Sequence, residues 1–389
     1  MEPRDLRGSM EFKGRLFFAH PGDVIYSKID VRNGAIGVVS DEMGTVAVSS
    51  EYPVYRIKPE RAVPDYIKLL FRTSFFRATI NSMISGASGR KRVQPSQLEQ
   101  IEVALPPLSV QRAIVARWRG AQAAVAKANA RIARIERETA ARFLADLGLT
   151  LPERATPPKA FALRWQDLER WSVTFNQLAS IGVDISTGKY SVTTLGEIAA
   201  VSYGIQKCPA NRPGHHARPY LRVANVQRGE LDLSEIKYIN VPDSEMPSLR
   251  LDPGDLLFVE GNGSRAELGR CAIWRGEIPD CVHQNHILKV RPDSRSLLPE
   301  YAMTWFNSDA GKDHFFRNVK SSSGLGSINS SELRSAPIPL PPLDVQRAIM
   351  QRVEAGRAQI AREREAADRL RRETQTEVEE MILGVRPVK

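Results

Sequence analysis

The side chains with the chemistry to act on another molecule fall in short polar clusters, and none of these has the spacing of a catalytic constellation. No glycine-rich loop ends in Gly-Lys-Ser/Thr, so no nucleotide-hydrolysing site is visible. No glycine fingerprint for a dinucleotide or a methyl donor follows a strand, and Gly261-Asn262-Gly263-Ser264 reads as a loop. No Asn/Asp-Pro-Pro-aromatic run is present, the segment that would hold an adenine amino group for methylation. Pro106-Pro107 and Pro341-Pro342 are flanked by leucines instead. Cys281, His283 and His286 are metal-ligand types. A fourth ligand at tetrahedral-site spacing is missing, however, and residues 281–286 alternate like a strand. His215-His216 reads as surface in a Pro-rich loop. The expectation is a chain with no metal and no catalytic residue, and therefore not an enzyme.

The remaining clusters suit contact with nucleic acid. Ser27, Lys28, Arg32 and Asn33 follow the strand-like Val24-Ile25-Tyr26. Glu260, Asn262, Ser264 and Arg265 follow Leu256-Leu257-Phe258. Gln206, Lys207, Arg212, Arg218, Arg222 and Asn225 form a basic, amide-bearing stretch. Arg90, Lys91 and Arg92 close the Gly/Ser-rich loop 86–92, whereas the matching loop, 321–330, carries no arginine. Arg, Asn, Gln and Glu side chains can read base edges in the major groove, and Lys and Arg neutralise phosphates. Any one of these residues is equally well explained as part of a solvated loop.

The elements that must position these clusters occur twice. Pro21-Gly22-Asp23-Val24-Ile25-Tyr26 returns as Pro253-Gly254-Asp255-Leu256-Leu257-Phe258, offset by 232 residues. Leu105-Pro106-Pro107-Leu108-Ser109-Val110-Gln111-Arg112-Ala113-Ile114 returns as Leu340-Pro341-Pro342-Leu343-Asp344-Val345-Gln346-Arg347-Ala348-Ile349, offset by 235. A chain that repeats a domain plus a helix presents two similar surfaces, a geometry suited to a two-part target. Each second motif opens a long helix. On the first, Ile114, Trp118, Ala121, Val125, Ala128, Ile132, Ile135 and Thr139 alternate at gaps of three and four, a heptad seam. On the second, Ile349, Val353, Gly356, Ile360, Glu363, Ala367, Leu370 and Thr374 repeat that register, with Glu363 out of character. A helix over 110–147 would reach on the order of 55 Å and needs a partner along its seam. The second helix is the expected partner, in parallel or antiparallel pairing.

The expected organisation is a first globular domain over 1–108, a long helix over 109–150, a linker over 151–189, a second globular domain over 190–343 and a second long helix over 344–384. Tyr66 to Phe76 reads as a helix opened by Pro64-Asp65. Within the linker, Trp165, Leu168 and Trp171 are spaced by three, as a short helix or an extended link. Residues 190–250 have no counterpart in the first half, so the first domain is expected to be shortened at its amino end. The 389 residues carry 55 basic and 45 acidic side chains, a net +10 that favours an anionic partner. Cys208, Cys271 and Cys281 are too few and odd in number for a disulfide framework. No apolar run is long enough to cross a bilayer and the start is not signal-like, so a cytoplasmic protein is expected.

The repeated motifs resemble the specificity subunits of type I restriction-modification systems. The resemblance rests on Pro-Gly-Asp-Val/Leu-Ile/Leu before a polar turn, and on Gly263-Ser264-Arg265 leading into Leu268-Gly269-Arg270-Cys271-Ala272-Ile273-Trp274. It rests also on Gln284-Asn285-His286 before Leu288-Lys289-Val290-Arg291-Pro292, and on the Pro-Pro segment opening each long helix. It implies α/β (α+β) target-recognition domains in two pseudo-repeated copies, separated by two long antiparallel coiled-coil helices. Each domain would read one half of a bipartite site in double-stranded DNA. The turns 27–34 and 260–267 would lie near the DNA, and the helices would be spacers and part of the methyltransferase-binding surface. Catalysis would belong to partners: methyltransferase subunits, two in number, that carry S-adenosylmethionine, and a restriction/translocase subunit. The runner-up reading is a coiled-coil scaffold that binds the methyltransferase without reading DNA.

Overall fold

A computed structural model describes residues 15–83, 92–150, 183–262, 267–318, 320–322 and 325–388, together with positions 162, 165, 171, 173 and 176. The chain divides into two compact units, Met1–Ile132 with Ala361–Lys389, and Ala133–Ile360. Each is a mixed α/β region, and each contains part of two long helices that pack together.

In the first unit, β1 (Leu16–Ala19) pairs antiparallel with β4 (Val46–Ser49). β2 (Val24–Tyr26) lies between β3 (Ile36–Val38) and β5 (Val54–Tyr55), antiparallel to both. Three short helices follow: α1 (Pro64–Leu70), α2 (Ser74–Ser82) and α3 (Pro95–Leu98). The single helix expected over 66–76 is thus two. Thr73 is extended (ψ 149°), its hydroxyl donates to the Leu70 carbonyl at 2.7 Å, and it accepts from Phe76 N–H at 3.2 Å as the N-cap of α2. The core joins Tyr26, Tyr66, Leu69, Leu70, Phe76 and Ile80 to Ile114 of the first long helix, α4 (Leu108–Asp146).

The second unit repeats this plan and adds to it. It starts with β6 (Val192–Thr194), α5 (Leu195–Ile198), β7 (Ala199–Tyr203), β8 (Ala217–Leu221), β9 (Lys237–Asn240) and α6 (Met246–Leu249). β10 (Leu256–Val259), β11 (Gly261–Asn262), β12 (Cys271–Ile273), β13 (Val282–His283) and β14 (Ile287–Pro292) follow. The central sheet runs β12-β10-β14-β7, so β10 sits between two antiparallel neighbours in the register of β2 between β3 and β5. β7 is the additional strand. α7 (Pro299–Asn307) and α8 (Asp309–Asn318) repeat the split of α1 and α2, with Ser308 in the place of Thr73 and its hydroxyl accepting from Gly311 N–H at 3.1 Å. The Gly/Ser-rich run after them, read from sequence as a loop, contains the hairpin β15 (Lys320–Ser322) and β16 (Leu325–Ser327). α9 (Ser330–Arg334) and β17 (Pro337–Pro339) lead into the second long helix, α10 (Leu343–Ile382). Of the linker, Trp165 and Trp171 are exposed and meet edge to face, 6.4 Å between ring centroids; most of the helix expected there lies outside the described residues.

The two long helices pack antiparallel in both units. In the first, Arg117 meets Glu377 at 2.7 Å and Arg131 meets Glu363 at 3.1 Å. In the second, Arg352 meets Asp146 at 2.9 Å, and Gly356 faces Thr139 so closely that a Cβ there would run into the threonine side chain. The seam residues Ile114, Ala121, Val125, Ala128, Ile132, Ile135, Ile349, Val353, Ala367 and Thr374 are buried, while Trp118, Ile360 and Leu370 are half-buried. Burying each aliphatic side chain is worth about 1.5–3 kcal/mol, which holds the pair together. Glu363, out of place in an apolar stripe, sits at its margin, where Arg131 neutralises it. Gly148 closes the turn after α4: its φ of 75° lets Leu149 N–H reach back to the Leu144 carbonyl at 2.9 Å.

Candidate nucleic-acid interface

The Pro-Gly-Asp turn that precedes each candidate contact cluster is built alike in both units. Gly22 and Gly254 take φ of 90° and 97°, and their N–H groups bond Val39 and Trp274 carbonyls at 2.9 and 2.8 Å. Asp23 and Asp255, both buried, accept from the N–H three residues earlier at 2.9 and 2.8 Å. An arginine faces each: Arg56 at 3.7 Å from Asp23, and Arg291 donating to both Asp255 oxygens at 2.7 Å. This bidentate pair holds the Arg291 guanidinium above its ordinary range. The turn is therefore a rigid bracket that fixes where the following residues leave the sheet.

A second bracket ties each unit to its long helix. Gln111 and Gln346 are fully buried. Gln111 accepts from Val63 N–H at 2.9 Å and donates to the carbonyls of Arg61 at 2.9 Å and Pro106 at 2.7 Å. Gln346 accepts from Leu298 N–H at 2.9 Å and donates to Ser296 and Pro341 carbonyls, both at 2.8 Å. Tyr66 and Tyr301 add a hydroxyl bond each, to Ala104 at 2.8 Å and Pro339 at 2.7 Å. In sequence the Gln-Arg pair reads only as part of a helix-opening motif. The signal was present, since a glutamine kept at the same step of both copies is a shared structural bond.

The expected contact residues fall into distinct groups. In the second unit Glu260 follows β10, and its carboxylate meets His286 Nδ1 at 2.7 Å. β11 follows at once, paired to β16, so Asn262 begins at the sheet edge; its side chain, Ser264 and Arg265 lie outside the described ones. Gln206 and Lys207 are exposed after β7. Arg222 pairs with Glu235 at 3.0 Å and, together with Lys237, pulls that carboxyl below its usual range. Arg218 is held between Asp243 and Asp280 at 2.7 and 3.1 Å. Asn225 is buried, accepting from Arg222 N–H and donating to Asp232 and Glu235 carbonyls at 2.8–3.0 Å, so its amide shapes the loop from within. In the first unit Ser27 is buried and accepts from Asp30 N–H at 3.2 Å, and Lys28 donates to the Ser50 carbonyl at 2.7 Å. Asn33 is exposed, and Arg92 lies 3.4 Å from Glu51. The Arg32 side chain, Arg90 and Lys91 lie outside the described ones.

The metal-ligand types do not converge. His283 is buried, Nδ1 3.0 Å from the Ile287 carbonyl, and burial and the nearby Lys289 push its pKa down to about 4. Burial pushes the Cys281 thiol up to about 12, and His286 turns to Glu260. Among the described residues no three His, Cys, Asp or Glu side chains group to hold a metal. No described helix is long and apolar enough to cross a membrane.

Two mixed α/β regions with two packed long helices are the arrangement to which the comparisons with known proteins apply. Residues 7–137 match the family model described as "Type I restriction modification DNA specificity domain". The chain is homologous to the specificity subunits of type I restriction-modification systems. It is 26% identical over 302 residues to the EcoKI specificity subunit of Escherichia coli K12, covering 77% of this chain and 60% of that one. It is 24% identical over 304 residues to the StySPI specificity subunit of Salmonella potsdam, covering 77% and 59%. The chain thus spans about three fifths of these relatives. A solved chain from work on complex assembly and conformational transition of the type I R-M system shares the fold, with a TM-score of 0.59, 19% identity and 94% and 82% coverage.

Proposed function

We propose that this chain is a non-catalytic DNA-recognition subunit that directs a partner adenine-N6 methyltransferase, and a restriction subunit with it, to a bipartite DNA site. Each unit reads one half of the site, and the paired long helices set the spacing between halves. S-adenosylmethionine belongs to the partner methyltransferase. The observation that carries this reading is the duplication of both brackets, the Gly-Asp-Arg turn and the glutamine clamp, in units homologous to known specificity subunits.

In this mechanism Lys and Arg side chains neutralise phosphates and displace counterions, and exposed polar side chains then meet base edges. Exposed Gln206, Lys207 and Asn33 and half-buried Glu260 are the proposed base- or phosphate-facing set, and Arg32, Arg90, Lys91, Arg92, Asn262, Ser264 and Arg265 are candidates by sequence. Glu260 suits an exocyclic amine donor, cytosine N4 above all. Ser27, Arg222 and Asn225 support these loops rather than the DNA. The methyltransferase acts on an adenine taken out of the stack, so the recognition units hold the flanking duplex meanwhile. Footprinting of the assembled complex tests the proposal: two protected segments separated by an unprotected spacer are expected, and an unprotected site would leave the scaffold reading in its place.

A further inference from the structure

The residue that leaves the central strand of each unit is held by the same backbone bonds and carries the opposite charge. In the second unit Glu260 N–H donates to the His286 carbonyl at 3.0 Å, and the Glu260 carbonyl accepts from Ile328 N–H at 2.8 Å. In the first, Lys28 N–H donates to the Glu51 carbonyl at 3.1 Å, and the Lys28 carbonyl accepts from Val93 N–H at 2.9 Å. The strand register makes these bonds counterparts. Val24 pairs with Val38 and Tyr55 as Leu256 pairs with Ile273 and Val290, partners 235 residues apart, and the same step carries Glu51 to His286 and Val93 to Ile328. Lys28 and Glu260 are thus one position of the repeat. Their side chains differ in sign and in setting. Glu260, 23% exposed, accepts from Nδ1 of His286, which is 56% exposed, at 2.7 Å. Lys28 is half-buried and donates to the Ser50 carbonyl at 2.7 Å, while Glu51 turns to Arg92 at 3.4 Å. Where a polar side chain holds the fold, both copies keep its type: Asp23 and Asp255, Gln111 and Gln346, and Tyr66 and Tyr301 make matching bonds. At 28 and 260 the backbone is unchanged when the charge reverses, so the fold does not set the charge.

We infer that this position selects one base in each half of the site, with opposite hydrogen-bond polarity in the two units. Glu260 accepts from the N4 amine of a cytosine. Adenine suits it less, because the N7 acceptor beside its amine repels a carboxylate. Lys28 donates to the O6 and N7 acceptors of a guanine. His286 is a positioning residue. A carboxylate only accepts, so the imidazole donates from Nδ1, holds one carboxylate oxygen and leaves the other for the base. The Lys28 ammonium carries three donors, of which the Ser50 carbonyl takes one. The inference rests on the DNA-reading proposal and adds to it the class of base that each unit takes.

Competition binding of the assembled complex tests it. The labelled probe is a duplex carrying the motif found by methylation sequencing, and the competitors replace each base pair of each half in turn. Glu260→Met and His286→Ala are expected to lower discrimination at a single C·G pair of one half at least about fivefold. His286→Asn, whose amide donates from the place of Nδ1, is expected to restore it. Lys28→Met is expected to relax a single G·C pair of the other half, again at least about fivefold. Each variant is read as a ratio of affinities, which a lower fraction of folded chain leaves unchanged. Uniform weakening at every pair, unaltered ratios in the Glu260 and Lys28 variants, or relaxation of the same half by both would each overturn the inference and leave the DNA-reading proposal standing. An unaltered ratio in His286→Ala would overturn the positioning role. A wild-type complex that binds motif and competitors equally would instead remove the DNA-reading proposal, and the inference with it.

Discussion

Replacing Gln346 by leucine keeps the volume but removes one acceptor and the donors for two carbonyls. Leu298 N–H and the Ser296 and Pro341 carbonyls lose partners at 2.8–2.9 Å around a fully buried side chain. Each buried group left unsatisfied costs about 1–3 kcal/mol, and relaxation recovers part of it, so the loss is about 3–5 kcal/mol. Hydrogen exchange read by mass spectrometry, alongside urea unfolding, locates the effect. Protection is expected to fall at 296–301 and at the start of α10, with Gln111→Leu producing the same loss at 61–67 and the start of α4. Gln346→Glu is expected to be worse than leucine near neutral pH, because a buried carboxylate loses its hydration and is repelled by the two carbonyl oxygens that the amide had satisfied. Burial raises the pKa of the introduced carboxyl, so its variant is more stable at acidic pH and loses stability as pH rises through that raised value. A loss under about 1 kcal/mol in both leucine variants, with Leu298 N–H still protected, would refute the clamp.

Three other outcomes follow from the geometry. Gly356→Leu places a side chain against Thr139 and is expected to separate α4 and α10 locally, costing about 1–3 kcal/mol in thermal unfolding. Stability of the second unit is expected to fall as pH drops from 6.5 through 4, on the order of 3 kcal/mol in total, because buried His283 resists protonation in the folded state only; His283→Gln is expected to flatten this limb in pH-dependent urea titrations. Asn225→Ala is expected to lower stability by about 1–3 kcal/mol through two freed carbonyls, whereas Lys207→Glu is expected to leave unfolding unchanged and to reduce the salt slope of DNA binding by the assembled complex.

Much of this architecture was legible in the residues. The Pro-Gly-Asp repeat is visible because only glycine enters the turn at φ near 90° without strain, and the aspartate must satisfy the N–H that the turn leaves behind. The long helices are legible because Ile114 to Thr139 and Ile349 to Thr374 keep one apolar period. The break between α1 and α2 was not, since Thr73 interrupts a run whose apolar spacing continues and its capping bond appears only in three dimensions. Asn225 and Ser27 carry the polar atoms expected of a reader, and sequence does not say that those atoms are already taken by neighbouring backbone.

The most direct measurement of the central claim is sequencing of N6-methyladenine in cells that express the partner methyltransferase with and without this chain. A two-part motif with a fixed spacer is expected only when the chain is present, and exchange of residues 190–343 for another recognition domain is expected to change one half of it and keep the spacer. The same methylated motif in cells lacking the chain would contradict the account.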